Sequence, residues 1–327
     1  TVLGVPWADF ERMITKNVAS VTSAIIILLL IGALSGTWMV SGVVPSLIYY
    51  GVKIIHPDVF LASTCIISAL VSVMTGSSWT TIATIGIALM GIGRAQGFDD
   101  GWIAGAIISG AYFGDKISPL SDTTVLASGA VGVPIFKHIR YMLITTIPSL
   151  IIALIIFTFA GFMQQSNSSA EIEQFTSALA GRFHISAWLL MVPVLTGVMI
   201  ARKVPPIATL FLSTLLAVVF SLVFQSDALR EIAGGDLFKG AMQSVYGQTS
   251  LSTSNPMLTS LVATRGMAGM MGTIWLIICA MCFGGAMEAG GMVRGITQMF
   301  VRMIRVRVSL VASTVCSGLM LNLSLIH

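Results

Sequence analysis

Two carboxylates sit in a stretch of the chain that is otherwise apolar, small or hydroxylated. Asp115 and Asp122 belong to Gly114-Asp115-Lys116-Ile117-Ser118-Pro119-Leu120-Ser121-Asp122, and Thr123-Thr124 follows directly. In a continuous helix that spacing would separate them by about 10 Å along the axis. Pro119 stands between them, removing one backbone N–H and clashing with the preceding turn, so an interrupted helix is expected. Opened backbone at membrane depth is tolerated where it is buried in protein or lines a watery cavity. The freed carbonyls, the hydroxyls of Ser118, Ser121, Thr123 and Thr124, and the two carboxylates would all be hard oxygen donors, the ligand set of a small hard cation. Lys116 could neutralise one carboxylate when no ion is present. A plainer reading of the same residues makes Asp115 and Lys116 a helix-end ion pair and Asp122 the cap of the next helix.

A second break precedes this one. Gly76-Ser77-Ser78-Trp79-Thr80-Thr81 carries hydroxyls and no charge. Ser77, Ser78 and Thr80 could give neutral oxygens to a shared site, or the stretch could be a tight small-residue helix contact. Among the 13 acidic residues, Glu288 also has apolar and small neighbours. Ionisable groups inside a membrane are expensive, so each such carboxylate is a functional candidate. Glu288 is thus a candidate proton carrier, with an ion pair to Arg294 as the alternative. Cys279 and Cys282 have C-x-x-C spacing but lack a second pair or a His cluster, so they read as small helix residues. His56, His138, His184 and His327 match no metal spacing.

The elements that must hold these residues are membrane helices. Of the 327 residues, 56 % are hydrophobic and 9 % charged, and the mean hydropathy is +0.94. A soluble surface needs about 25 % charged residues. Apolar stretches long enough for a bilayer core of about 30 Å recur at 18–40, 135–163, 185–201 and 206–224. The net charge of +4 falls in short basic clusters between those runs. Lys137-His138-Arg140, Arg202-Lys203 and Arg302-Arg305-Arg307 therefore read as cytoplasmic topology anchors rather than as a nucleic-acid surface. The segment 7–17 is amphipathic and is expected at the cytoplasmic surface, and 164–184 reads as a polar loop outside.

Gly36-Thr37-Trp38-Met39-Val40-Ser41-Gly42 and Gly284-Gly285-Ala286-Met287-Glu288-Ala289-Gly290 share G-x-x-M-x-x-G. Ala62-Ser63-Thr64 and Ala312-Ser313-Thr314 match at nearly the same offset. The charge pattern gives the first helix of each copy opposite directions, which is the plan of inverted-repeat secondary transporters. The expected organisation is a first repeat over 1–163 with breaks at 76–81 and 114–123. A polar loop, two transmembrane helices and a connecting segment follow over 164–271, and the start of a second repeat occupies 272–327. The counterpart of the Gly76 break would begin near residue 326, so the chain is expected to be truncated at its C-terminus. The fold class is thus an all-α polytopic membrane protein, an inverted-repeat transporter with broken, re-entrant helices.

The 114–124 block resembles the signature of the NhaC family of sodium/proton antiporters, and Thr75-Gly76-Ser77-Ser78-Trp79 is similar to that family at the place expected before it. The resemblance implies a multi-pass protein of the bacterial inner membrane that exchanges Na+ for H+. It implies Na+ at Asp115 and Asp122, no cofactor beyond the transported ions, no enzymatic reaction, and the lipid bilayer as surroundings; a homodimer is compatible with it. The matching block positions are Asp115, Ser118, Ser121, Asp122 and Thr123. An exchanger of small organic acids, malate for lactate, would fit the same scaffold but needs a cation for the substrate carboxylate. An intramembrane aspartyl protease needs two carboxylates sharing a proton, which two acids in one Ser/Thr-rich interrupted segment suit less well. A channel would show conductance rather than fixed exchange.

Overall fold

The computed structural model describes residues 5–119, 121, 123, 124, 127, 128, 132–164, 169–202, 204–251, 253, 256–295 and 298. Among these residues the regular structure is helical, with a single isolated bridge between Thr249 and Thr264. Five described helices are long and apolar enough to cross a membrane, and a sixth span results if one bent pair is counted. The chain divides into two compact units, 1–25 with 272–327, and 26–271.

In the first unit, α1 (Trp7–Ser20) packs on the C-terminal half of α15 (Met271–Ala289). A side chain at Gly285 would come within 2.7 Å of the Ile14 Cα, so the two backbones touch there.

The second unit holds both breaks. After α2 (Thr22–Val40) and α3 (Val43–Ile54), helix α4 (Phe60–Thr75) ends at Gly76. Gly76 has φ +66°, a left-handed conformation that glycine adopts without a Cβ clash. Ser77 is extended, and its hydroxyl accepts from the Thr80 N–H at 3.3 Å, capping α5 (Ser78–Thr81). A π-turn over Ile82–Gly86 carries the chain into α6 (Ile87–Ala95). This limb runs back to where α4 began: the Gln96 side chain donates to the Ile55 carbonyl at 2.7 Å, and the Phe60 and Phe98 rings lie 5.2 Å apart. Segment 57–95 is therefore a helical hairpin with both ends on one side and its tip at Gly76-Ser77.

Helix α7 (Asp100–Ile117) then runs parallel to α4. Gly110 lies against Cys65 and Ala69, and Gly114 against Ala69 and Ser72. At the far end the Ser118 hydroxyl donates to the Val73 carbonyl at 2.8 Å. A Cβ at Gly110 would fall on the Cys65 carbonyl, and one at Gly114 would sit 2.5 Å from the Ala69 oxygen. Without a hydrophobic effect between helices in lipid, this close small-residue approach supplies the attraction.

Helix α8 (Ile135–Met163) packs antiparallel to α7. Its far end is tied to the base of the hairpin, with Gly161 against the Asp58 carbonyl and the Gln164 side chain accepting from the Asp99 N–H at 3.4 Å. Many of its isoleucines, among them Ile144, Ile151 and Ile155, face outward, as a lipid-facing helix requires. Lys116, at the end of α7, shares a small cavity with Thr146, Ser149 and Leu150 of α8. Ser149 is the midpoint of α8, about 21 Å from either end. The hairpin tip and the end of α7 thus lie level with the middle of α8.

The stretch expected as a polar loop at 164–184 is largely helix, α9 (Ser169–Arg182). Phe175, Leu179 and Phe183 recur at helical spacing and are 2 %, 0 % and 2 % exposed, so an apolar stripe seats this polar-looking segment on the core. The expected single crossing at 185–201 is a 3₁₀ turn and a short α10 (Met191–Ala201), bent by 92° from α9. Helix α11 (Pro206–Phe224) follows, and the mixed segment after it contains α12 (Ser226–Ala233), α13 (Leu237–Tyr246) and α14 (Pro256–Val262).

Candidate functional site

The hairpin tip and the end of α7 meet because α4 and α7 are parallel and break at the same level. Asp115 lies in the last turn of α7, half-buried. Across the gap, Ser78 at the start of α5 is 3 % exposed, and its hydroxyl donates to Asp115 Oδ2 at 2.9 Å. A carboxylate at the N-terminus of the returning limb also sits in the favourable end of that helix's dipole.

Behind this pair the tip is cross-linked by hydroxyls. The Ser77 N–H donates to Thr75 Oγ1 at 3.1 Å, Thr75 and Thr81 share a 3.2 Å hydroxyl contact, and Thr81 Oγ1 donates to the Ser77 carbonyl at 3.0 Å. Thr84 Oγ1 takes the Thr80 carbonyl at 2.7 Å, next to the π-turn. These bonds satisfy backbone groups that the break leaves without helical partners.

A cavity of about 280 Å³ opens in front of the tip. Oxygen-bearing side chains line it from the hairpin (Thr75, Ser77, Thr80), from α7 (Asp115), from beyond the Pro119 break (Ser121, Thr123) and from α11 (Thr209). Trp79, Ile27 and the turn Val204-Pro205-Pro206 complete the wall. Asp115 is the only charged side chain among the described lining residues. One anionic side chain among several neutral hydroxyls is a described lining with the chemistry to balance a positive charge.

The sequence-derived candidates take different places here. Asp115, Ser77, Thr80, Ser121 and Thr123 line the cavity, and Ser78 reaches it through Asp115. Ser121 and Thr123 hold one another at 2.8 Å. Ser118 and Thr124 turn to the backbone: Ser118 bonds Val73, and Thr124 Oγ1 donates to the Lys116 carbonyl at 3.1 Å, closing the end of α7. Asp122 lies outside the described residues. Lys116 does not pair with Asp115; successive residues of a helix point apart, and it faces α8. Glu288 is exposed in the last turn of α15, in the other unit, and no ion pair to Arg294 forms. Thr75 and Thr209 carry no sequence signal of their own, since a threonine in an apolar helix usually bonds the preceding turn.

A family model described as the Na+/H+ antiporter family matches residues 110–325, a range that begins just before Asp115. Three relatives match over nearly the whole chain. The malate-2H+/Na+-lactate antiporter of Bacillus subtilis (strain 168) is 38 % identical over 98 % of this chain and 67 % of its own length. The Na+/H+ antiporter NhaC of Alkalihalophilus pseudofirmus is 37 % identical over 98 % of this chain and 68 % of its own. The Na+/H+ antiporter NhaC of Bacillus subtilis (strain 168) is 33 % identical over 98 % of this chain and 70 % of its own. This chain belongs to the Na+/H+ antiporter family. No solved structure matches it significantly. As a member of that family with several apolar spans, it is a multi-pass protein of the cell membrane. Within the Na+/H+ antiporter family match, both the α7 end and the residues after Pro119 are included, whereas the hairpin tip precedes it.

Proposed function

We propose that the protein is a secondary transporter that exchanges Na+ for H+ across a bacterial inner membrane, with Asp115 as the shared carboxylate of one site. The observation that carries this reading is the cavity in front of the hairpin tip, where Asp115 is the single described charge among neutral hydroxyls. A carboxylate held so can balance one cation or one proton, and occupancy by either displaces the other. Asp122, seven positions on, is proposed as the second acid of the site, and Glu288 as a further proton carrier. The inverted-repeat organisation with its boundaries at 163 and 271 belongs to the same proposal. Transport is the whole of the proposed activity, as expected of a member of an antiporter family.

Two basic segments place the cavity relative to the membrane. The Lys137-His138-Arg140 cluster opens α8, and Arg202 precedes the Val204-Pro206 wall. Both are read as cytoplasmic. The cavity then opens toward the cytoplasm, and the hairpin and its core close it from outside.

Everted vesicles carrying the full-length protein and an acid interior test this. Addition of Na+ should drive proton efflux, addition of K+ should not, and Asp115→Asn should reduce the response to background. A response that requires malate would move the assignment to organic-acid exchange, as in the Bacillus subtilis relative. The described lining has no cation to hold a substrate carboxylate, which favours the simple ion exchange.

A further inference from the structure

We infer that Thr209 of α11 is an oxygen ligand of the transported cation, contributed from outside the two broken segments; this rests on the Na+/H+ reading above. Thr209 is fully buried, yet it lines the same cavity as Asp115, Thr75 and Thr80. Its hydroxyl hydrogen is directed to the Val204 carbonyl at 3.3 Å, a long bond to the residue just before the cap of α11. With the hydrogen used in that bond, the hydroxyl oxygen keeps its acceptor capacity.

The local backbone suits a cation for a second reason. The first turn of a helix normally presents unpaired N–H groups, which attract anions and repel cations. In α11 the capping position and the first helical position are Pro205 and Pro206. Neither has an N–H, and the Thr209 N–H is already bonded to the Pro205 carbonyl at 2.9 Å. The part of the cavity lining contributed by the start of α11 thus has no N–H at Pro205 or Pro206 and carries the Thr209 residue. Replacing the Thr209 hydroxyl by a methyl would leave the packing nearly unchanged and remove one ligand.

The test compares Thr209→Val and Thr209→Ser with the parent, all full length, in everted vesicles at saturating proton gradient. The half-saturating Na+ concentration is read separately from the maximal rate. A lost hydroxyl contact of about 1.4 kcal/mol corresponds to about tenfold. Thr209→Val is expected to raise the half-saturating Na+ concentration about tenfold with the maximal rate within about twofold. Thr209→Ser, which keeps the oxygen, should restore the parent's Na+ dependence. An unchanged Na+ requirement in Thr209→Val, or an equal rise in Thr209→Ser, would overturn the assignment. If Thr209→Val does not reach the membrane, Thr209→Ser against Thr209→Ala decides on the same criterion. A parent that shows no Na+ response fails the exchange reading itself, and that is visible before any variant is compared.

Discussion

Among the described residues, the Asp115 carboxylate accepts one hydrogen bond, from the Ser78 hydroxyl. Ser78→Ala deletes the donor to Oδ2 while leaving the buried methylene. A hydrogen bond to a charged group contributes about 1.5–3 kcal/mol. The carboxylate then turns freely, and the half-saturating Na+ concentration should rise by about tenfold or more; an unchanged value would make Ser78 a packing residue. Thr124→Val makes a contrast. Its hydroxyl closes the Lys116 carbonyl and does not face the cavity. It should lower the amount of folded protein without changing the Na+ dependence of what remains, measured by detergent-solubilised yield beside vesicle transport. Much of this site was legible in the sequence because Asp115 and Pro119 announce themselves: a charge and a helix-breaker inside an apolar run have few explanations. Thr209 was not legible, because only the fold brings residue 209 to the cavity that residue 115 lines.

At the scale of elements, the position of the site depends on the parallel contact of α4 with α7. Gly110 is where that contact is closest, and a methyl there meets the Cys65 carbonyl rather than a flexible side chain. Gly110→Ala should destabilise the pair by about 1–3 kcal/mol, the usual cost of overpacking. The measurement is thermal stability in detergent, with Gly181→Ala of α9 as control, since a Cβ there meets nothing within 4 Å. Equal melting of the two variants would deny the contact its role. The break at Gly76 could be read from sequence, since glycine followed by hydroxyl residues stops one helix and caps the next. That the returning limb begins at Ser78 rather than Ile82 could not, because two of its first residues, Trp79 and Thr80, have no strong helical preference and are held by the Ser77 cap. Helix α9 was hidden for a related reason: three apolar side chains at helical spacing suffice to seat it, too few to outweigh its polar composition.

For the whole molecule, the proposed exchange gives the hairpin the part of deciding which side of the membrane reaches the ion. Its base is packed to α3, α7 and α8 by Phe60, Phe98, Ile48, Ile103 and Phe157, so the base half belongs to the apolar core. At the tip, the described lining of the cavity includes the turn after Arg202 and the residues Ser121 and Thr123 that follow Pro119. Alternating access then requires the tip region and the α10–α11 wall to move apart and together around a fixed carboxylate. Thr123 is the lining residue best placed to report this, being exposed within the cavity and free of the core. A cysteine at position 123 should react with a membrane-impermeant maleimide in everted vesicles and be protected in right-side-out ones. The native Cys65 is buried, and Cys279 and Cys282 lie on α15 in the other unit, so a background in which all native cysteines are replaced by serine isolates the signal. Na+ should slow the labelling at constant pH, because the reagent and the ion approach through the same opening. Reaction from the outside alone would reverse the proposed orientation, and it would mean that the basic clusters at 137–140 and 202–203 face the exterior, against the charge rule on which the topology rests.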